Sequence, residues 1–450
     1  MEDIHDTFHT GIIQAALLAL PVTAALTLAG NVAPAAPSAH AAQGPITLKL
    51  IQWNNPPAVA AIAKIDAAFE KQYPNITVQV SSVPSPQYPQ LLTTRLSAKD
   101  VDILAQQALV GQPAPWTPGL LKPQWQQFAD AGLFMDLTNQ PFLKRYFPQA
   151  LKSAASYKGK TYAVTTGSYA YSGMFYNKTI FKQYHLSIPT TWDQLMRISA
   201  TLHAHGVAPF IAGGKTGWPL GVATQGIMST LYPDMTALDK GLWTGTMKYT
   251  APTGVEVFAK SQQILKYMAP GFMGVDYVGA VSQFAAGRAA MFPTGTWDGP
   301  AIETANPSLQ FGYFQTPGSN NPRDNAQLSG KYDLAWFVAN HSQYKDAALK
   351  WLTFFSQPSV YAQYVNAVGI IPAQPDIALT DPVLKAIAPA AAHLKLAPDQ
   401  VLRAPNTIGK YSGFFTSVVY LAPAGPVASA TTMASQTQTD WNAAVRLQKR

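Results

Sequence analysis

The chain has no cysteine. Disulfides, thiolate metal sites and cysteine nucleophiles are therefore excluded from its chemistry. Charge is scarce as well. Asp, Glu, Lys and Arg make up 12% of the 450 residues, about half the share usual in a soluble domain. The formal net charge of +8 reflects few carboxylates rather than basic clusters, since no run of four Lys or Arg occurs. Nucleic-acid binding needs concentrated positive charge, so that class is set aside. Few carboxylates suit an acidic exterior, because carboxylates that titrate near ambient pH cost stability as they protonate.

Catalytic signatures are missing too. Neither H-E-x-x-H nor G-x-S-x-G is present. Gly213-Gly214-Lys215-Thr216 ends like a phosphate loop, but the position where that pattern needs its first Gly is Pro209. A plain Gly turn is the simpler reading. His203 and His205 stand two apart and cannot share a helix face, so they make a poor metal pair. No Asp/Glu pair stands out for glycoside hydrolysis, although such pairs are often distant in sequence. Neither a metal nor a cofactor is expected.

What the chain does have is apolar bulk and aromatic rings. Hydrophobic residues account for 48%, with 10 Trp, 20 Tyr and 20 Phe. Its length exceeds one ordinary core and suits two linked domains. No Lys or Arg precedes Lys49, residues 11–30 are rich in Ala and Leu, and Ala39-His40-Ala41 follows. Residues 1–41 thus read as a signal peptide, with a mature chain from about Ala42. Their acidic opening, MEDIHDTFHT, departs from that pattern and leaves a retained anchor open, just long enough to span a bilayer.

Beyond the leader, ITLKLIQW (46–53) alternates as a strand, and residues 57–73 carry apolar positions at helical spacing. Residues 76–80, 88–98 and 101–105 continue the β-α-β-α-β order of a parallel sheet covered by helices. In such sheets ligands bind beyond the carboxyl ends of the strands. That makes Trp53-Asn54-Asn55 and Gln106-Gln107 pocket candidates. Rings and neutral hydrogen-bonding groups recur in further predicted loops at Trp116, Tyr169, Tyr171, Trp218 and Trp297-Asp298. A single Trp or Tyr is ordinarily packing, and Trp125, Trp192, Trp336 and Trp351 fall in periodic patterns and are assigned to the core. The recurrence across loops points to a sugar, whose C–H faces stack on rings and whose hydroxyls need buried polar partners.

Six segments, in order, resemble the extracellular solute-binding proteins of carbohydrate ABC transporters, the family of the maltose-binding protein. They are FEKQYPNITVQV (69–80), FADAGLFMDLT (128–138), MFYNKTIFKQYHLSIPTTWDQL (174–195), FAAGRAAMFPTGTWDGPAI (284–302), KDAALKWLTFFSQP (345–358) and GIIPA (369–373). The resemblance implies an α/β fold of the two-lobed, type II periplasmic-binding-protein kind, each lobe a mostly parallel sheet flanked by helices. It assigns residues 42–166 and 314–356 to one lobe and 167–313 and 357–450 to the other, with the ligand in the cleft between them. It implies a monomeric, non-enzymatic protein, secreted to the periplasm or the outer face of the cytoplasmic membrane. There it would bind a neutral oligosaccharide by hinge closure and deliver it to a membrane permease with a cytoplasmic ATPase. The family's Gly-x-Trp segment falls on Gly295-Thr296-Trp297, which makes Trp297 the expected stacking ring. Tyr169 and Tyr171 lie just after the first expected crossing between lobes. The lipid-bearing cysteine usual in relatives from single-membrane bacteria is missing, which leaves the mode of anchoring open. Two alternatives stand beside this reading: a secreted carbohydrate-active enzyme, and the same fold holding a phosphorylated polyol, a polyamine or a metal complex.

Overall fold

The computed structural model describes residues 44–84, 87–107, 112–391 and 394–449. The leader expected over residues 1–41 lies outside them.

The first strand, Ile46–Trp53, buries Ile46, Leu48 and Leu50 and leaves Thr47 and Lys49 outside, as period-two alternation requires. The Asn55 side chain accepts from the Ala58 amide and caps helix Pro56–Gln72, which begins with proline in its first turn. That helix buries Ala58, Ile62, Ile65 and Phe69 along one stripe. Strand Ile76–Val83 returns parallel to the first, in register from Ile46↔Ile76 to Trp53↔Val83. Ile103–Gln107 adds on the other side, also parallel. Leu334–Val338 follows antiparallel and Ala163–Thr165 closes the edge of this five-stranded sheet.

A second sheet of four strands runs in the order Phe311–Gln315, Gly173–Asn177, Ala289–Pro293, Ala208–Phe210. Each sheet lies in its own core. Trp336, Trp351, Phe355, Tyr361 and Tyr364 pack in the first. Trp192, Trp243, Phe258, Phe292 and Trp441 pack in the second. The four tryptophans assigned to the core, Trp125, Trp192, Trp336 and Trp351, are all buried. The molecule is α/β and two-lobed, as expected, but its sheets are mixed rather than mostly parallel: Leu334–Val338 pairs antiparallel with both its neighbours in the first sheet, and Gly173–Asn177 does so in the second.

A short third sheet joins the lobes. Ser168–Ala170 pairs antiparallel with Ser329–Tyr332, which also pairs with Lys395–Leu396. The chain therefore leaves the first sheet at Thr165, passes through Ser168–Ala170, and enters the second sheet at Gly173. The return comes later than residue 313. Phe311–Gln315 is still an edge strand of the second sheet, and the first sheet is regained only at Leu334. Nor does the chain change lobes at 357. Helices Lys345–Phe355 and Pro358–Val368 both pack in the first core, which runs on to Ala373. The reason lies in Tyr361, Tyr364, Val365 and Val368, an apolar stripe at helical spacing that packs with Trp351 and Phe355.

Candidate functional site

A cleft of about 1140 Å³ lies where the two cores and the joining sheet meet. The ends of two strands supply its polar floor. Trp53 ends the first strand with Asn54 and Asn55 just beyond it, and Gln107 ends the third. Helix faces supply the walls. Pro57, Ala60, Ala61 and Lys64 stand on one stripe of Pro56–Gln72, and Gln363 and Ala367 stand one turn apart on Pro358–Val368. Across the cleft, Tyr277, Val278 and Val281 come from helix Tyr277–Ala285, with Pro300, Ala301 and Thr304 from Gly299–Ala305. Alanine on these faces leaves open volume where larger side chains would close it.

Trp297 is the centre of the aromatic group. Its ring lies 5.1 Å from Tyr171, 5.5 Å from Tyr169 and 6.2 Å from Trp218. Tyr169 meets it edge-on at 85°, an arrangement that aromatic quadrupoles favour. Trp218 leans on Tyr277 at 5.2 Å and stays 45% exposed at the mouth. Gly295 does not line the cleft but makes room for it. A Cβ built there would fall 2.0 Å from the Trp297 ring, so no other residue lets the ring lie where it does.

Asp298 sits behind Trp297, buried, accepting from Thr294 Oγ1 at 2.6 Å and from the Tyr277 hydroxyl. Burial pushes its carboxyl up to about 7, against the pull of those two hydrogen bonds. Asp333, on the opposite wall, is raised by burial to about 6, with the Lys331 charge opposing. Both residues belong to the cleft lining, but they are almost wholly buried, 2% and 6% exposed.

The structure thus brings together Trp53, Asn54, Asn55, Gln107, Tyr169, Tyr171, Trp218, Trp297 and Asp298. It does not bring Gln106 or Trp116 there. Gln106 and Gln107 are the last two residues of a strand rather than a loop beyond it, so their side chains point to opposite faces. Gln107 faces the cleft, while Gln106 turns away and donates to Gln124 Oε1 at 3.0 Å. Trp116 packs against the second core and donates from Nε1 to the buried Asp239 at 2.8 Å. Sequence reasoning missed Lys64, Tyr277, Lys331, Asp333 and Gln363. For Lys64 a signal existed, since it stands on the same helical stripe as Pro57 and Ala60, counted on from Asn55. Lys331 and Asp333 carry no motif, and only the pairing of Lys331 with Tyr169 places them.

Comparison with known proteins bears on this arrangement. The chain is 27% identical over 330 residues to the multiple sugar-binding protein of Streptococcus mutans, covering 69% of this chain and 71% of that one. It is 24% identical over 376 residues to an uncharacterized ABC transporter extracellular-binding protein of Pyrococcus horikoshii, covering 78% and 79%. Among solved structures it matches RafE in complex with raffinose at a TM-score of 0.73 and 23% identity, over 90% of this chain and all of that one. RafE of Streptococcus pneumoniae in its apo form matches at 0.68, and a chitin oligosaccharide binding protein at 0.70 with 20% identity, over 89% and 99%. These structures share the two-lobed fold. The sequence profile of the bacterial extracellular solute-binding proteins matches residues 54–362. With more than half its length matched, the chain belongs to the bacterial extracellular solute-binding protein family.

Proposed function

We propose that this protein captures a neutral oligosaccharide outside the cytoplasm, closes its two lobes on it, and delivers it unchanged to the membrane permease of an ABC importer. The observation that carries this reading is the cleft itself. Six aromatic residues, Trp53, Tyr169, Tyr171, Trp218, Tyr277 and Trp297, share its lining with the neutral amides Asn54, Asn55, Gln107 and Gln363. Rings suit the C–H faces of a pyranose and amides suit its hydroxyls. The volume exceeds the roughly 300–1,000 Å³ of sites that hold a drug-sized molecule, which favours several sugar units over one. Trp297, with Tyr171 beside it, is the proposed stacking platform.

Capture without chemistry is supported by the state of the two carboxyls. A glycosidase presents one acid and one carboxylate to the scissile bond. In this cleft Asp298 is already hydrogen-bonded to Thr294 and Tyr277, and Asp333 is buried. The walls come from two separate cores joined by short strands, an arrangement in which hinge closure changes few internal contacts. A ligand favours the closed state only through contacts made there. The multiple sugar-binding protein of Streptococcus mutans and the raffinose complex of RafE favour an oligosaccharide over a polyamine or phosphorylated polyol. Acting as a monomer at the periplasm or the outer face of the membrane belongs to the same proposal.

A thermal-shift screen of neutral oligosaccharides, followed by analysis of the recovered sugar, tests it. At least one should raise the melting temperature and return intact. Release of shorter sugars would make the protein an enzyme instead.

A further inference from the structure

Lys331 stands on strand Ser329–Tyr332, paired with Tyr169 across the joining sheet. Its Nζ lies 4.7 Å from the Tyr171 ring centroid and 5.0 Å from that of Trp297. These are the two rings proposed as the sugar platform. Among the described residues this ammonium makes no hydrogen bond and no ion pair. Its charge is felt at the carboxyls of Asp333 and Asp399, outside ion-pairing distance. An ammonium has three N–H donors and no acceptor. All three are free for whatever enters the cleft.

We propose that Lys331 is the specificity-determining residue of the cleft: it covers the Trp297 and Tyr171 rings until a ligand displaces it, and then donates to the ligand's hydroxyls. This rests on the oligosaccharide reading above. A ring that stacks on Trp297 takes the place the ammonium holds. A sugar offers oxygen lone pairs to the displaced N–H groups. An apolar ligand of the same size offers none, and leaves a desolvated cation without a partner. The bare lining of six aromatic residues, alanines and valines would accept many greasy molecules. The lysine builds a penalty against them into the site, which is how a binding surface acquires specificity beyond attraction. Where Asp333 and Asp399 are ionised, they keep the displaced ammonium near, because moving it away from both costs Coulomb energy.

Lys331→Met keeps the length of the side chain and removes the charge, and Lys331→Arg keeps the charge and the stacking. Lys331→Gln serves as a second neutral variant should the methionine fail to fold. Calorimetry measures the tightest binder among raffinose, stachyose, maltotriose and chitotriose, and fluorescence measures Nile red, a neutral apolar probe. The methionine variant should bind the sugar about tenfold more weakly or worse and Nile red about threefold more tightly, with an unchanged melting temperature. The arginine variant should stay within about threefold of the wild type for both. Sugar affinity equal to the wild type in a folded neutral variant overturns the inference. So does unchanged Nile red binding. If the wild type binds none of the four sugars, the oligosaccharide reading fails by itself, and the Nile red arm still decides whether Lys331 guards the rings.

Discussion

Trp297 is half-buried among Tyr169, Tyr171 and Trp218, with the Lys331 ammonium over its ring and Gly295 making room beside it. Its removal opens space into the cleft rather than a sealed cavity, so little folding energy is lost. Buried tryptophans at recognition sites are typical anchors. Trp297→Ala should therefore weaken sugar binding by more than about 2 kcal/mol, roughly 30-fold. Its melting temperature should stay close to that of the wild type. Calorimetry and a melting curve on one sample check both halves; equal affinity would leave Trp297 as packing alone. The residues of the site were legible where chain order placed them. Trp53 ends a strand whose alternation is plain, and Asn54 and Asn55 follow it. Trp297 stands in a recognisable Gly-x-Trp segment. Lys331 and Asp333 were invisible because their neighbours come from residues 168–171, more than 150 positions away, through a pairing of three residues.

Among the secondary-structure elements, a shift of two residues decided the fate of one pair. Residues 101–105 read as the third strand, with Gln106 and Gln107 beyond it. The strand is Ile103–Gln107, and its alternation sends the two glutamines to opposite faces. Elements with one buried face and plain periodicity were readable, as Ile46–Trp53 and Pro56–Gln72 illustrate, while the amphipathic helices Met235–Thr244 and Pro358–Val368 were not read. Helix Val222–Leu231 escaped notice because eight of its ten residues are buried, which erases the amphipathic period. Trp116 belongs to the same lesson. It sits in a Pro- and Gly-rich stretch that read as an open loop, yet residues 112–121 are tied to the second lobe. Asp239 accepts from Trp116 Nε1 at 2.8 Å, from the Arg403 amide at 2.7 Å and from Arg403 Nη1 at 2.6 Å. Arg403 Nε donates to the Gln112 carbonyl at 2.6 Å, and Asn406 Nδ2 to that of Gly119 at 2.8 Å. Trp116→Phe removes one of three donors to a buried carboxylate, at a cost of about 1–3 kcal/mol. The variant should melt earlier and bind sugar as the wild type does. Loss of binding with an intact melting temperature would put Trp116 at the ligand instead.

For the molecule as a whole, buried carboxyls set the pH dependence of stability. Burial raises Asp66 and Asp298 to about 7 and Asp333 to about 6. In the unfolded chain each titrates near about 3.9. Between about pH 4 and 7 the folded state therefore holds more protons than the unfolded one, and stability falls as pH rises through that window. Asp100, Asp130 and Asp136 act in the opposite sense, held low mainly by hydrogen bonds from Lys49, from Lys122 and Lys158, and from Thr138. They lie at the surface, where solvent screens such pairs. The melting temperature should peak near about pH 4–5 and decline toward pH 8, consistent with an acidic exterior. A steady rise from pH 4 to pH 8 in scanning calorimetry would contradict this.

The two cores, the joining sheet and the cleft between them make closure on a sugar the central claim. Small-angle X-ray scattering along a titration with the sugar that the screen identifies tests it most directly. The radius of gyration should fall and level off at one equivalent of ligand. A scattering curve that stays the same at saturation, with binding established by calorimetry, would contradict closure.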